Sequence, residues 1–217
     1  MKYKDIIFDF DGVLAESVHI KTEAFYHLYE RYGKDISEKV VEHHKANGGM
    51  SRFEKLSYYH KTFLNIDLNK NDIEKLCDDF SNLVIDRVVN ADEVPGALQF
   101  LKKYQKVSNY WIASATPTDE INEIARRREM SDYFISIYGS PEKKSSVVNR
   151  IINENDLVNN EIVFFGDAMS DYKAAKDNNI NFMLRQTDEN QSLFYDHTGL
   201  ICFNDFYELD SILEKIN

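Results

Sequence analysis

The feature that most constrains this chain is a rhythm of short apolar runs separated by stretches of helical spacing. Lys4-Asp5-Ile6-Ile7-Phe8-Asp9-Phe10 opens it as a buried, β-prone strand, and Asp9-Phe10-Asp11-Gly12 turns the chain away. Tyr110-Trp111-Ile112-Ala113, residues 133–138, Ile162-Val163-Phe164-Phe165, Asn181-Phe182-Met183-Leu184 and Leu200-Ile201-Cys202-Phe203 read as further strands. Helical patterns over 97–104, 118–128, 145–155 and 170–178 separate the later runs, and a last helix begins at Tyr207. Such alternation requires βαβ crossovers and a parallel sheet covered on both faces. It is interrupted once. From Glu16 to Val89 the period is helical throughout, as in Ile20, Ala24, Phe25, Leu28 and Tyr32, and no strand pattern occurs. Within this stretch residues 40–44 and 53–63 continue the period on either side of Gly48-Gly49, and Asn71 or Asp72 caps a helix running to Val88. Asp92-Glu93-Val94-Pro95-Gly96 punctuates its end. The expectation is an α/β protein: a doubly wound parallel-sheet core from residues 1–15 plus 92–217, with an inserted α-helical cap over 16–91.

Composition narrows the function classes. With 43% apolar residues and 13% aromatics in 217, the chain can bury a core. A net charge of −11 argues against nucleic acid or an anionic membrane as the main partner. No apolar run reaches the roughly 18 residues of a membrane span, and the first residues lack a signal-peptide pattern. Two cysteines, Cys77 and Cys202, have neither metal nor redox spacing. A cytoplasmic protein acting on a small molecule is expected.

The chemistry concentrates at strand ends. Asp9 and Asp11 are two apart where the first strand meets its loop, so both carboxylates are pushed to one face. Open α/β sheets bind ligands at these carboxyl ends. Like charges so close need a cation between them or a shared proton, although an Asp-Gly turn is the plainer reading. Ser114-Ala115-Thr116-Pro117 follows the second strand, where a hydroxyl and backbone N–H groups make either an anion cradle or a helix cap. Lys143-Lys144 precede a helix, where a lysine can neutralise an anion or simply face solvent. Gly166-Asp167-Ala168-Met169-Ser170-Asp171 follows Phe165, with Asp167 at the strand end and Asp171 one turn into the next helix.

These four signals, in this order, resemble the haloacid dehalogenase-like hydrolase superfamily, in its phosphatase branch with a helical cap (phosphoglycolate phosphatase and β-phosphoglucomutase-like). Asp9-Phe10-Asp11-Gly12-Val13-Leu14 fits its first motif, Ser114 its second, and Gly166 to Asp171 its fourth, with Ala168 where Ser or Thr is usual. In the third, a Gly-Ser-Pro-x-x-Lys pattern favours Lys144 over Lys143. The resemblance implies that Asp9 is the nucleophile forming an aspartyl-phosphate, and that Asp11 is the acid and then the base. It implies Mg²⁺ on the Asp9 carboxylate, the Asp11 carbonyl and Asp167, with Asp171 orienting Lys144 and a metal-bound water. It places Ser114, the Ala115 N–H and Lys144 on the phosphoryl oxygens. An acid at Asp11 points to phosphate monoesters of small metabolites such as sugars, polyols or organic acids. A phosphomutase is the alternative, weakened because Lys21 stands where the hexose phosphomutases carry a cap histidine. A signalling receiver domain is the distant third, since its phosphorylated Asp ends a third strand of an uninterrupted sheet.

The cap should choose the substrate. Gly48-Gly49-Met50-Ser51-Arg52 is a flexible loop suited to reach over the site, where Arg52 can clamp a second anion. The plainer reading is a helix start with Ser51 as cap. Gly49, Lys21, Glu16 and Ser17 are further candidates to face the substrate. His43-His44 reads as cap surface, Arg126-Arg127-Arg128 as a solvated helix end, and Trp111 as core.

Overall fold

The structure, a computed structural model, describes residues 2–216. Six parallel strands form one sheet: β1 (Asp5–Phe8), β2 (Asn109–Pro117), β3 (Ser136–Ser140), β4 (Ile162–Gly166), β5 (Asn181–Arg185) and β6 (Ile201–Phe203). Their spatial order is β3-β2-β1-β4-β5-β6. The chain therefore leaves β1 in one direction through the sheet and returns to its other side at β4, which opens a crevice at the carboxyl end of β1. The registers Phe8↔Ile112 and Phe8↔Phe165 bring the ends of β1, β2 and β4 to one level.

Four helices stand between β1 and β2 before the core resumes: α1 (Val18–Tyr29), α2 (Lys34–Ala46), α3 (Arg52–Leu64) and α4 (Lys70–Val89). Then come α5 (Ala97–Tyr104), α6 (Thr118–Arg127) after β2, α7 (Lys144–Glu154) after β3, α8 (Met169–Asp177) after β4 and α9 (Phe206–Ile216). The parallel α/β class and the helical insert are as the sequence predicts. Boundaries move. β1 stops at Phe8 although the Asp9 N–H still bonds the Phe165 carbonyl (2.9 Å), because the chain must turn before Asp11. The third strand begins at Ser136, not Tyr133, since a single tight turn over Ser131–Tyr133 precedes it. The cap of α4 is Asn69, whose Oδ1 accepts from the Asp72 N–H at 3.0 Å, rather than Asn71 or Asp72.

Both sheet faces are dry. Ile7, Trp111, Ala113, Ile162 and Phe164 pack beneath α7 and α8 on one face. On the other, Phe8 is wholly buried and meets Phe100, Tyr110, Phe134, Phe165 and Phe206 with ring centres 5.4–6.4 Å apart. Phe8 sits one residue before Asp9, so this aromatic cluster anchors the strand that presents the first carboxylate. Phe8→Ala is expected to cost about 3–5 kcal/mol, the usual range for an aromatic truncated in a core. The measurement is a lower urea midpoint with an unchanged denaturant slope.

Candidate active site

Asp9, Asp11, Ala115, Thr116 and Asp167 floor a cleft whose roof is Lys21, Phe25, His44, Gly48, Met50, Arg52, Lys55 and Phe80. The floor comes from three adjacent strand ends and the roof from the helices inserted after β1. Asp9 is 5% exposed; its Oδ1 accepts from the Phe10 N–H (2.7 Å) and its Oδ2 from Lys144 Nζ (2.6 Å). Lys144 also donates to Asp171 Oδ1 (2.6 Å), and Asp171 Oδ2 accepts the N–H groups of Asp167 (3.2 Å) and Ala168 (3.0 Å). Lys143, by contrast, is exposed. Asp171 thus fixes both the lysine and the loop that carries Asp167.

The electrostatics follow from how few cations serve these acids. Burial pushes the Asp9 carboxyl up, against the pull of Lys144 and with the help of Asp171 and Asp11, to about 7. Burial and the Asp9 and Asp171 carboxylates hold Asp167 well above the usual carboxylate range. Burial alone would lower Lys144, but Asp171 and Asp9 more than reverse it and hold the ammonium charged. Asp11 differs. Its burial is outweighed by Lys21, which forms an ion pair with Oδ2, and by hydroxyl donors Ser17 (2.6 Å, to Oδ1) and Thr116 (2.9 Å, to Oδ2), so it lies below the usual range. Lys21 Nζ also donates to Thr116 Oγ1 (2.5 Å).

Carboxyl oxygens of Asp9, Asp167 and Asp171 lie within 4.8 Å of one another. Asp171 is already filled by Lys144 and backbone N–H groups, whereas no donor among the described residues reaches the Asp167 carboxyl. An unpartnered carboxyl beside a second acid, offering hard oxygens only, fits a divalent cation. Gly12 makes room for the Asp167 carboxyl. A Cβ there would stand 2.2 Å from Asp167 Oδ2, and its φ of +76° is one that glycine adopts without strain.

Ser114 is buried and its Oγ accepts from the Thr116 N–H (3.1 Å); with Ala115, Lys144 and Ser170 it lines an adjoining hollow, and Ala115 also reaches the cleft. Gly49 packs on the core: a Cβ there would fall 1.6 Å from Ser170 Oγ and 3.4 Å from the Ala168 methyl, which accounts for a small residue at 168. Ser51 does cap α3, with a reciprocal Glu54 bond to its own N–H (3.3 Å). Arg52, expected as a clamp for a substrate anion, instead grips the chain's own Glu120 with both terminal nitrogens (2.7 and 2.6 Å) and lies over Phe80. Glu16 is likewise taken, by Arg185 (2.6 and 3.0 Å), and Ser17 serves Asp11 rather than facing the cleft alone.

Two readings of charged residues are corrected. His44 is not cap surface: it is 6% exposed and receives the buried Lys55 ammonium at 2.8 Å. Arg128 is not solvated, because it donates to the carbonyls of Val88 (2.8 Å), Val89 (3.0 Å) and Ala91 (2.7 Å) and closes the end of α4. Trp111 is core, as expected. Sequence reasoning missed Lys55, Glu120 and Arg185. Each matters through a partner outside its own element, 11 residues away for Lys55, 68 for Glu120 and 169 for Arg185, and only the helical spacing of Lys55 to Arg52 hinted that both share a face.

Known proteins agree with this geometry. The family model for haloacid dehalogenase-like hydrolases matches residues 6–184, and the chain belongs to that family. A phosphorylated carbohydrates phosphatase of Thermotoga maritima is 26% identical over 176 residues, covering 79% of each chain. A β-phosphoglucomutase structure from Clostridium difficile superposes with a TM-score of 0.77 at 20% identity, covering 98% of this chain and 96% of that one. A haloacid dehalogenase-like hydrolase from Streptococcus pneumoniae gives 0.70 at 17%, covering 100% and 99%. The protein is thus an enzyme, a hydrolase with the parallel α/β fold of this family. A receiver domain is ruled out by the same match. No helix among the described residues is long and apolar enough to cross a membrane.

Lys144→Met removes the cation shared by Asp9 and Asp171. It is expected to destabilise the metal-free protein by about 3–5 kcal/mol, the range for breaking a buried ion pair on one side. Chemical denaturation in the presence of a chelator measures it.

Proposed function

We propose that the protein is a Mg²⁺-dependent phosphatase that hydrolyses phosphate monoesters of small metabolites through an aspartyl-phosphate on Asp9. The observation that carries the reading is the placement of Asp9 between Lys144 and the unpartnered Asp167 carboxyl, at the floor of a roofed cleft. Asp9 Oδ2 is held by the lysine and its other oxygen by the Phe10 N–H, so the carboxylate is fixed before substrate arrives. The nucleophile attacks phosphorus in line, and Lys144 with the Ala115 N–H receives charge on the phosphoryl oxygens. Asp9, Asp167 and the Asp11 carbonyl would hold the Mg²⁺, whose charge offsets repulsion between carboxylate and phosphoryl group.

Asp11 and Lys21 act as a unit in this scheme. The Lys21 ammonium gives its proton through the Asp11 carboxyl to the departing alkoxide oxygen, which leaves Asp11 ionised and Lys21 neutral. Asp11, held by the Ser17 and Thr116 hydroxyls, then takes a proton from the water that opens the phosphoenzyme and returns it to Lys21. The roof closes the cleft over this step, with Gly49 against Ser170 and Arg52 bridging to Glu120, which keeps bulk water out. The named activity of the Thermotoga maritima relative supports a sugar or polyol phosphate as substrate. A cytoplasmic location accords with free cysteines at Cys77 and Cys202. The division into a core of 1–15 plus 92–217 and a cap of 16–91 accords with the roof and floor each drawing on one side of it.

Wild-type protein with Mg²⁺ is expected to release inorganic phosphate from a panel of monoesters and to lose the activity in EDTA. Asp9→Asn is expected to lower turnover by about a thousandfold or more, the scale for loss of a nucleophile. No phosphate release from any ester would refute the proposal. In a thermal shift assay, Mg²⁺ is expected to raise Tm for the wild type and not for Asp167→Asn, since only the former offers the full acidic set.

A further inference from the structure

The roof of the cleft carries a cation that the chemistry above does not use. Lys55, on the first turns of α3, is 1% exposed. Its ammonium donates to Nδ1 of His44 at 2.8 Å and lies 5.7 Å from the centre of the Phe25 ring. No carboxylate among the described residues forms an ion pair with it. The other two cations of the roof are satisfied, Lys21 by Asp11 and Arg52 by Glu120. His44 cannot share the charge: burial and the neighbouring Lys55 hold its imidazole far below the usual histidine range, so it is a neutral acceptor. One N–H of the ammonium is used, and no acceptor among the described residues meets the others. Burial, with Lys21 as a like charge, pushes the amine down to about 7. A buried, uncompensated lysine is costly to a fold, and a methionine of similar shape would fill the same space without that cost.

We propose that Lys55, oriented by His44, is the receptor for a second anionic group on the substrate, so that the preferred substrates are phosphate monoesters bearing a carboxylate or a second phosphate. This rests on the phosphatase reading. Lys55 and His44 line the same cleft as Asp9 and Asp167, and Phe25, Met50 and Phe80 stand in the roof beside them. The phosphoryl group to be cleaved sits on the acidic floor, the carbon skeleton meets the apolar side chains, and the second anion faces Lys55. An anion arriving there turns an unpaired buried cation into an ion pair, which is the condition under which such a pair is favourable. Arg52 is the poorer receptor, because releasing it would strand the buried Glu120 carboxylate.

The test compares kcat/KM of the Mg²⁺-loaded enzyme on 3-phosphoglycerate, fructose 1,6-bisphosphate and glycerol 1-phosphate, whose tails are a carboxylate, a phosphate and neutral. At least one anionic-tailed ester is expected to exceed the neutral one by about tenfold or more, and which one does so identifies the anion. Lys55→Met is expected to collapse that ratio about tenfold, chiefly through KM, while Lys55→Arg recovers part of it. Lys55→Met is also expected to unfold at a higher temperature than the wild type, whereas a purely structural lysine would leave the variant less stable. Glycerol 1-phosphate turned over by the wild type with a ratio near one, or a ratio untouched by Lys55→Met, overturns the subsite and leaves the phosphatase reading standing. No turnover of any of the three, or of p-nitrophenyl phosphate, removes both.

Discussion

Four aspartates, Asp9, Asp11, Asp167 and Asp171, crowd the carboxyl ends of β1 and β4, and their mutual repulsion is the constraint around which the rest is arranged. Among the described residues two lysines enter the cluster. Lys144 compensates Asp9 and Asp171, and Lys21 compensates Asp11. That leaves Asp167 without a partner and Asp9 with a carboxyl raised to about 7. Such an imbalance suits a cation, because four carboxylates share two ammonium groups and the Asp167 carboxyl has neither as a partner. The sheet order makes the crowding possible, since β1 lies directly between β2 and β4 and all three end at one level.

The two lysines come from opposite sides of the cleft, and this divides labour between them. Lys144 opens α7, a core helix, so Asp9 keeps its partner whatever the roof does. Lys21 belongs to α1, in the inserted helices, and so do the other roof cations Arg52 and Lys55 on α3. The state of Asp11 is therefore tied to the position of the roof, while that of Asp9 is not. Arg52 with Glu120, Arg127 with Asp86 (2.7 Å) and Gly49 against Ser170 hold roof and floor together. The cleft is acidic below, with Asp9, Asp11 and Asp167, and carries Lys21, Arg52 and Lys55 above.

Much of the floor was legible in the sequence. Period-two placement at a strand end puts Asp9 and Asp11 on one face, and apolar runs locate the strands that carry Ser114 and Asp167. The Gly-Ser-Pro-x-x-Lys spacing singled out Lys144, which the structure sets 2.6 Å from Asp9. The roof was much less legible. Helical spacing shows that residues share a face but not what that face meets. Hence Arg52 read as a clamp for substrate when Glu120, on another helix, already fills it, and His44 read as surface when Lys55 covers it. Arg128 was misjudged for the same reason, since its carbonyl acceptors lie 37–40 residues away.

What the amino-acid sequence determined by itself was the alternation that demands a parallel sheet, the single helical interruption after the first strand, and the identity of the acids delivered to the strand ends. These follow from local periodicity and from the short reach between neighbouring residues. The tertiary structure alone decided which charges are paired and which are left over: Lys21 for Asp11, Glu120 for Arg52 and, among the described residues, nothing acidic for Lys55 and no donor for the Asp167 carboxyl. Charge pairing depends on separations of a few ångströms between side chains far apart in sequence, and those separations are set by how helices pack across the cleft.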